Sequence, residues 1–537
     1  MLKLKHPGIV KILEPLEETR NQLVMVTEAI YGSVDSVVHS SDDVPGPLKG
    51  TKEAAMSELE VKHGVLQVAD VLHFLHNEAG VAHCGISPKS VLITAEGAWK
   101  VACFDFSVQI NVITEKLKKF NYSKQKDSIL DPASRPNLDY VAPELAGGHN
   151  EDMATIASPA CDMFSLGLVA YEALTGVRLV DSHGDIVYYK SKAVSLAKEP
   201  FSGVPAKFEG TLRTMLSLAR EGRPQAADLS KCPYFQEDLA VRALVFLDGF
   251  VQRDDLQKAS FLKDLDGMWE KFDARIIRYK VLPHILKELR NESLAHLLFP
   301  YAFKAMKQQN KAEFKSYTLP VLQPILAGVK GEPLVLVLRH CDDLLKLLPK
   351  DMVGTVMLPL VTRAFTTGDP KAQEVALKAV HDMCEYLQNQ TLQDQVLPRV
   401  HEMALATQSA TVRINALVLM GTLVDRVDEA EAGKMLSTAM EVTSADQSPG
   451  TLMCVLGVGN AISKSFGEAL TAQKVIPLLS PLLVCHSLSH SQFSTYITLI
   501  REMLSRIEKK MGSMIYEHEP VEAGNSNGDG ATPAAAK

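Results

Sequence analysis

The sequence predicts a multidomain chain: an α+β domain over residues 1–235, an all-α solenoid over 236–515, and a disordered tail over 516–537. Three observations carry this prediction. Up to about residue 235, strand-like and helix-like patterns alternate, and beyond it the strand signals stop. Within the helical part, an apolar-apolar-Pro tripeptide recurs about every forty residues. The closing stretch EAGNSNGDGATPAAAK holds too few apolar residues to bury a core.

In the first region, NQLVMVTEAI (21–30) is apolar and β-branched, as a strand requires. The segment SVLITAEGAWKVACFDF, from Ser90, reads as two strands around a turn at Gly97. CDMFSLGLVAYEALTG, from Cys161, reads as a helix stopped by Gly176. SSDDVPGPLKG (40–50) combines Pro, Gly and Asp and reads as a loop.

The tripeptides of the second region are VLP ending at Pro283, TLP at Pro320, MLP at Pro359, VLP at Pro398 and VIP at Pro477, separated by 37, 39, 39 and 79 residues. The last interval is two periods, with Ser437 in MLS at the intermediate position. A helical repeat of this length is what stacked helix pairs of the HEAT or armadillo kind require. The proline is expected in the first turn of each helix, where an N–H has no intrahelical partner. In SATVRINALVLMGTLVDRV, Ile414, Leu417, Val418 and Val424 are expected on one buried face, with Gly421 allowing close helix contact.

Composition limits what the chain can do. Hydrophobic residues make up 46% and charged residues 22% of 537, as in an ordinary globular protein, and the length suits roughly three or four domain-sized units. The formal net charge of -8 argues against direct nucleic-acid binding, because phosphate contacts need clustered Lys and Arg. Eight cysteines without a C-x-x-C pair suggest neither a disulfide framework nor a zinc module, and fit a reducing compartment. MLKLKHPGIV lacks a signal-peptide core, and the longest apolar run, from Val475, is too short to span a bilayer, so any membrane contact is expected to be peripheral.

Four motifs in order now support a family resemblance. LHFLHNEAGVAHCGISPKSVLI (from Leu72), YVAPEL (from Tyr140), DMFSLGLVAYEALTG (from Asp162) and RPQAADLSKCPYF (from Arg223) resemble successive segments of a protein-kinase domain. Together with the helical repeats, the chain is similar to the SCY-like pseudokinase family. LKHPGIVKILEPLEE resembles the turn and strand after the kinase αC helix, which implies an incomplete small lobe: the Gly-rich loop, the strand lysine and its glutamate partner would lie before residue 1 or be absent. The strand LVMVTEAI would then expose an edge.

Phosphoryl transfer needs a carboxylate to orient the attacking hydroxyl and oxygen ligands for magnesium. Aligned on His83, the resemblance puts Gly85 at the catalytic aspartate, Ser87 at the phosphate-contacting lysine, Ser90 at the metal-binding asparagine and Cys84 at the neighbouring arginine. Counting from Lys100, Cys103 takes the metal-binding aspartate position, so that CFD replaces D-F-G; reading DFS at Asp105 instead needs a two-residue shift and a bulge. A thiol is a poor magnesium ligand. Loss of the general base alone costs about 100- to 10,000-fold in rate. By contrast, Glu144 and Arg223 match a structural ion pair, Asp162 matches a buried residue that bonds the loop backbone, and His83 matches a packed histidine. The resemblance therefore implies no catalytic residue, no metal, and neither ATP nor magnesium as a working cofactor; Asp105 is the one candidate nucleotide-site ligand.

Two further clusters merit weighing. Lys116, Lys118, Lys119, Lys124 and Lys126, with Phe120 and Tyr122 among them, form a basic stretch that reads either as a solvated loop or as a contact for anionic lipid. Cys485, His486 and His490 lack a fourth ligand for zinc.

The expected function is a non-catalytic scaffold, since a solenoid supplies extended surface. The family resemblance implies membrane traffic at the Golgi, trans-Golgi network and endosomes. PNLDYVAPEL and CFDF point to the clathrin-associated branch, with clathrin or coat adaptors as partners. The alternatives are a weak ATP-binding serine/threonine kinase using Asp105 and a scaffold in tRNA nuclear export. The tail lacks a clathrin-box peptide.

Overall fold

The computed structural model describes residues 4–39, 56–110, 122, 135–146, 157–196 and 198–518. The chain divides into two compact units, Met1–Gln309 and Asn310–Lys537.

In the first unit, Ile12–Glu18 (β1) and Leu23–Thr27 (β2) form an antiparallel hairpin. Ile30–Ser33 (β3), Val81–Ala82 (β4), Val91–Thr94 (β5), Trp99–Val101 (β6) and Val108–Gln109 (β7) follow. β5 lies between β3 and β6 in one antiparallel sheet, and β4 pairs with β7. Gly97 turns the chain between β5 and β6 with φ 73°, a conformation that costs a residue without Cβ little. Among the described residues β2 pairs with β1 alone, and its Leu23, Val24, Met25 and Val26 are exposed.

Helix α1 (Glu58–Asn77) starts at a Ser57–Glu60 capping box and buries Val61, Val65, Val68, Leu72 and Leu75 along one stripe. Gly64 on this helix lets the Trp99 ring lie against its backbone. Helix α2 (Pro159–Thr175) packs on α1 and is buried from Cys161 to Ala173, which explains its unbroken apolar character. Gly176 stops it with φ 73°. The helices from Leu239–Asp248 (α3) to Ala295–Met306 belong to this same unit.

Pro283, Pro320, Pro398 and Pro477 do stand in the first turn of an α-helical stretch, as expected, but helical backbone already precedes each stretch. It begins ten residues before the proline in three cases, after Asp273, Asn310 and Gln388. Asp273 and Asn310 accept backbone N–H groups there, which is what fixes the start. A single π-helical turn then precedes the proline: Ile277–Val281, Phe314–Thr318, Leu392–Val396 and, ahead of Pro477, Thr471–Val475. A wide turn shifts the carbonyl that the proline ring would otherwise strike, so the chain stays helical through the motif. Pro359 lies inside Val353–Thr366 with no such turn.

In the second unit, the helix Ala410–Leu423 buries Val412, Ala416, Leu417, Leu419, Met420 and Leu423. Of the expected face, Leu417 and Val424 are buried and Ile414 is half-buried; Val418 is the correction, 50% exposed, because apolar residues occupy nearly all sides of the helix. Gly421 does permit close contact, since a Cβ there would meet Val458 Cγ2 at 3.7 Å. The last helix, His490–His518, runs into the span expected as tail; residues 519–537 lie outside the described residues.

Candidate functional site

The pairing of β4 with β7 brackets two segments, the loop from His83 to Ser90 and the stretch from Ala102 to Ser107, and so brings the sequence-predicted residues together. β5 and β6 pair Val91 with Val101 and Ile93 with Trp99 without a register shift, so Cys103 leaves the strand two residues after Val101 with no bulge between.

The loop is held from beneath by Asp162. This fully buried carboxylate accepts the backbone N–H of His83 at 2.8 Å and of Cys84 at 2.7 Å, and meets His76 Nε2 at 2.8 Å. Burial alone would raise its pKa, but the bond and charge of His76, with His83, hold it below the usual carboxylate range. Cys84 takes φ 58°, the left-handed turn that lets both N–H groups reach one carboxylate. Burial drives the Cys84 thiol far up, so it stays neutral.

His83 is fully buried, and that burial lowers its pKa. Its Nε2 donates to the Ala102 carbonyl at 2.9 Å, and its Nδ1 accepts the Gly85 N–H at 3.2 Å. The neutral ring thus ties the two segments together. Phe104 packs edge-on against it, 4.8 Å between centroids.

At the positions where chemistry would sit, the side chains are small or already engaged. Gly85 has none, and a Cβ added there would lie 3.1 Å from Phe106 Cδ2. The Ser90 hydroxyl, 2% exposed as a residue, accepts from Ser87 N at 2.8 Å and donates to Ser87 O at 3.1 Å, closing the loop's own turn. Cys103 is exposed with φ 59°, and its thiol pKa is raised by burial of the sulfur and by Asp105. Asp105 is exposed, on the short turn Phe104–Phe106. Lys100 is bound to Glu28 at 2.7 Å.

Glu144 and Arg223 meet as a two-pronged pair, at 2.6 Å and 2.9 Å. Arg223 also donates to the carbonyls of Ala160 (2.9 Å) and Ser217 (2.8 Å), and its guanidinium lies 4.9 Å from the Phe164 ring centre.

The lysines of residues 116–126 lie outside the described residues. Tyr122, within that stretch, is buried and donates to the Pro136 carbonyl at 2.7 Å, so this aromatic serves the core rather than a membrane. Cys485 Sγ faces Gln447 Oε1 at 3.7 Å. Among the described residues, the metal-type group that converges is Asp35, His39 and Glu172. Its atoms are already engaged: Glu172 takes His39 Nε2 at 2.7 Å and the Tyr140 hydroxyl at 2.5 Å, while Arg178 stands 3.5 Å from Glu172 and 3.6 Å from Asp35. A guanidinium in that place repels a cation, so the group works as a polar lock.

One cluster escaped the sequence reading. Lys280 enters from the π-turn, 6% exposed, and donates to the Gly97 carbonyl at 2.7 Å and to His63 Nδ1 at 3.0 Å; His63 Nε2 in turn meets Asp248 at 2.8 Å. Arg275 pairs with Glu60, and Lys62 with Asp238 at 2.9 Å. These bonds join α1 to the helices that follow residue 236. Burial lowers the Lys280 pKa to about 8 and that of His63 below its ordinary value, and the Asp248 carboxylate is held low against burial by His63. No helix among the described residues is long and apolar enough to cross a membrane.

Comparison with known proteins agrees with this architecture. The protein kinase domain family matches residues 1–235. Over 523 residues the chain is 29% identical to SCY1-like protein 2 of Homo sapiens, covering 95% of this chain and 55% of that protein. It is 24% identical over 526 residues to the protein kinase domain-containing protein ppk32 of Schizosaccharomyces pombe, covering 94% and 68%. It is 23% identical over 512 residues to the probable inactive serine/threonine-protein kinase scy1 of Dictyostelium discoideum, covering 95% and 57%. The chain thus spans about half the length of the human relative. The crystal structure of Cex1p shares the fold, with a TM-score of 0.54 at 14% identity, covering 95% of this chain and 87% of that one.

Proposed function

We propose that this chain, a SCY1-like relative with a kinase-type domain followed by a helical region, is a non-catalytic scaffold in clathrin-linked vesicle traffic between the Golgi or trans-Golgi network and endosomes. One observation carries the non-catalytic part. Asp162, His83 and the Glu144–Arg223 pair hold a kinase-type loop in shape, while the aligned chemistry positions carry Gly85, Ser87, Ser90 and Cys103. A general base needs a titratable side chain within hydrogen-bond reach of the proton it takes, and glycine supplies none. Magnesium needs hard oxygen ligands, and the aligned Cys103 offers sulfur. Asp105 supplies one carboxylate, short of the pair of ligands that a phosphoryl-transfer site uses.

The trafficking part rests on the family resemblance carried by PNLDYVAPEL and CFDF. A protein with this role docks coat or adaptor proteins through its helical surface and meets membranes peripherally. Two measurements test the proposal separately. The purified full chain, used as bait, is expected to enrich clathrin heavy chain or coat adaptors over an unrelated helical-repeat control; no enrichment refutes the trafficking reading. ATP with magnesium is expected to leave the melting temperature unchanged. Saturable stabilisation lost in Asp105→Ala would refute the non-catalytic reading and favour a nucleotide-binding domain.

A further inference from the structure

We propose that the last helix, His490–His518, is a self-association surface that packs antiparallel against the same helix of a second copy of this chain.

The helix carries two apolar stripes. One is used internally: Tyr496, Ile500 and Met503 are buried against the helix Pro449–Leu470, where the Tyr496 hydroxyl donates to the Leu452 carbonyl at 2.5 Å and Lys510 pairs with Glu468 at 2.6 Å. The second lies beside it and faces outward. Phe493 is 39%, Leu504 49% and Met511 43% exposed, with Ile497 half-buried between them. The spacing 497, 504, 511 is a strict seven-residue repeat, which keeps one seam on one side of a helix.

The pattern is self-complementary about Leu504. When two copies run antiparallel with Leu504 at the two-fold axis, Ile497 of each lies opposite Met511 of the other. Arg501 and Glu508 flank the seam; both are exposed, and neither has an ion-pair partner among the described residues. Within one helix they are seven residues, about 10 Å, apart, too far to pair. The antiparallel arrangement brings Arg501 of one copy to within one residue of Glu508 of the other, twice by symmetry. An isologous interface of this kind needs a patch that complements itself in both shape and charge, and this one does. Parallel packing would stack Arg501 on Arg501 and Glu508 on Glu508.

The seam is short, so association is expected at roughly 1–100 µM rather than at nanomolar concentration. Sedimentation velocity of the full chain from about 1 to 200 µM should show a monomer–dimer equilibrium that weakens with salt. Leu504→Glu, at an exposed position that leaves the internal stripe untouched, places two carboxylates on the axis and should weaken dimerisation at least ~10-fold. Arg501→Glu should weaken it by about 5-fold, and the double variant Arg501→Glu/Glu508→Arg should restore it to within about 2-fold. A monomer at every concentration, a dimer indifferent to Leu504→Glu, or a charge swap that fails to rescue each overturns the proposal. Circular dichroism of every variant establishes that the helix content is retained.

Discussion

Replacing Arg223 tests whether the ion pair with Glu144 is a framework element. The Arg223 side chain is fully buried and donates to both Glu144 carboxylate oxygens and to two main-chain carbonyls. Removing one partner of a buried pair costs about 3–5 kcal/mol, because the other charge is left without compensation. Arg223→Met should therefore destabilise by ~4 kcal/mol. Glu144→Met should cost a similar amount, since it strands a guanidinium whose remaining partners are neutral carbonyls. The double replacement removes both charges and leaves the two carbonyls unpaired, at about 1 kcal/mol each, so it should cost clearly less than the sum of the singles, with a coupling of at least ~2 kcal/mol. The two tryptophans, Trp99 and Trp269, are buried and both lie in the first unit. Their fluorescence during urea unfolding thus reports on that unit alone. Additive effects, with coupling under ~0.5 kcal/mol, would refute the reasoning.

Three further outcomes are expected. Lys280 has a folded pKa of about 8, below its ordinary value of 10.5, so between those pH values the unfolded chain binds more protons and stability must rise with pH. The stability of the wild type relative to Lys280→Met should grow by up to about 3 kcal/mol between pH 7 and 10.5, read by the same fluorescence; a constant difference refutes the burial of a charged lysine. Gly64→Ala would put a Cβ 2.2 Å from Trp99 Cδ2, so the ring must move, at about 1–3 kcal/mol, seen as a lower urea midpoint and a shifted Trp99 emission. Gly85→Asp combined with Cys103→Asp should leave phosphoryl transfer from labelled ATP at background, because Phe106 crowds position 85 and Ser90 is committed to Ser87.

The loop was legible through the family resemblance, in which His83, Asp162, Glu144 and Arg223 match framework positions. The structure brings Asp162 to the His83 N–H and Glu144 to Arg223, each across 79 residues of sequence. The register of the strand leaving Lys100 was legible from the residues themselves, since alternation over a two-residue period sets it. In the helix Ala410–Leu423 only Val418 was misplaced, because with apolar residues on nearly every side no single face stands out. For the motifs at Pro283, Pro320 and Pro398 the earlier start of helical backbone was missed because the proline is the most visible residue, whereas the residue ten positions before it is a single Asp, Asn or Gln.

Lys280 shows why the junction itself could not be read. It stands three residues before Pro283, at the repeat position held by Tyr317, Gln395, Lys434 and Lys474, which are exposed, and by Val356 before Pro359, which is buried. The other polar members of that position all lie in solvent, where a lysine is ordinarily found. Lys280 is buried instead because the Gly97 turn of the kinase-type domain presents a bare carbonyl and α1 presents His63, so a long-range docking contact overrides the local pattern. The same π-turn that accommodates the proline places this lysine, so a feature of the helical array also serves to hold the kinase-type domain. The junction residues are therefore where substitutions should most disturb the first unit.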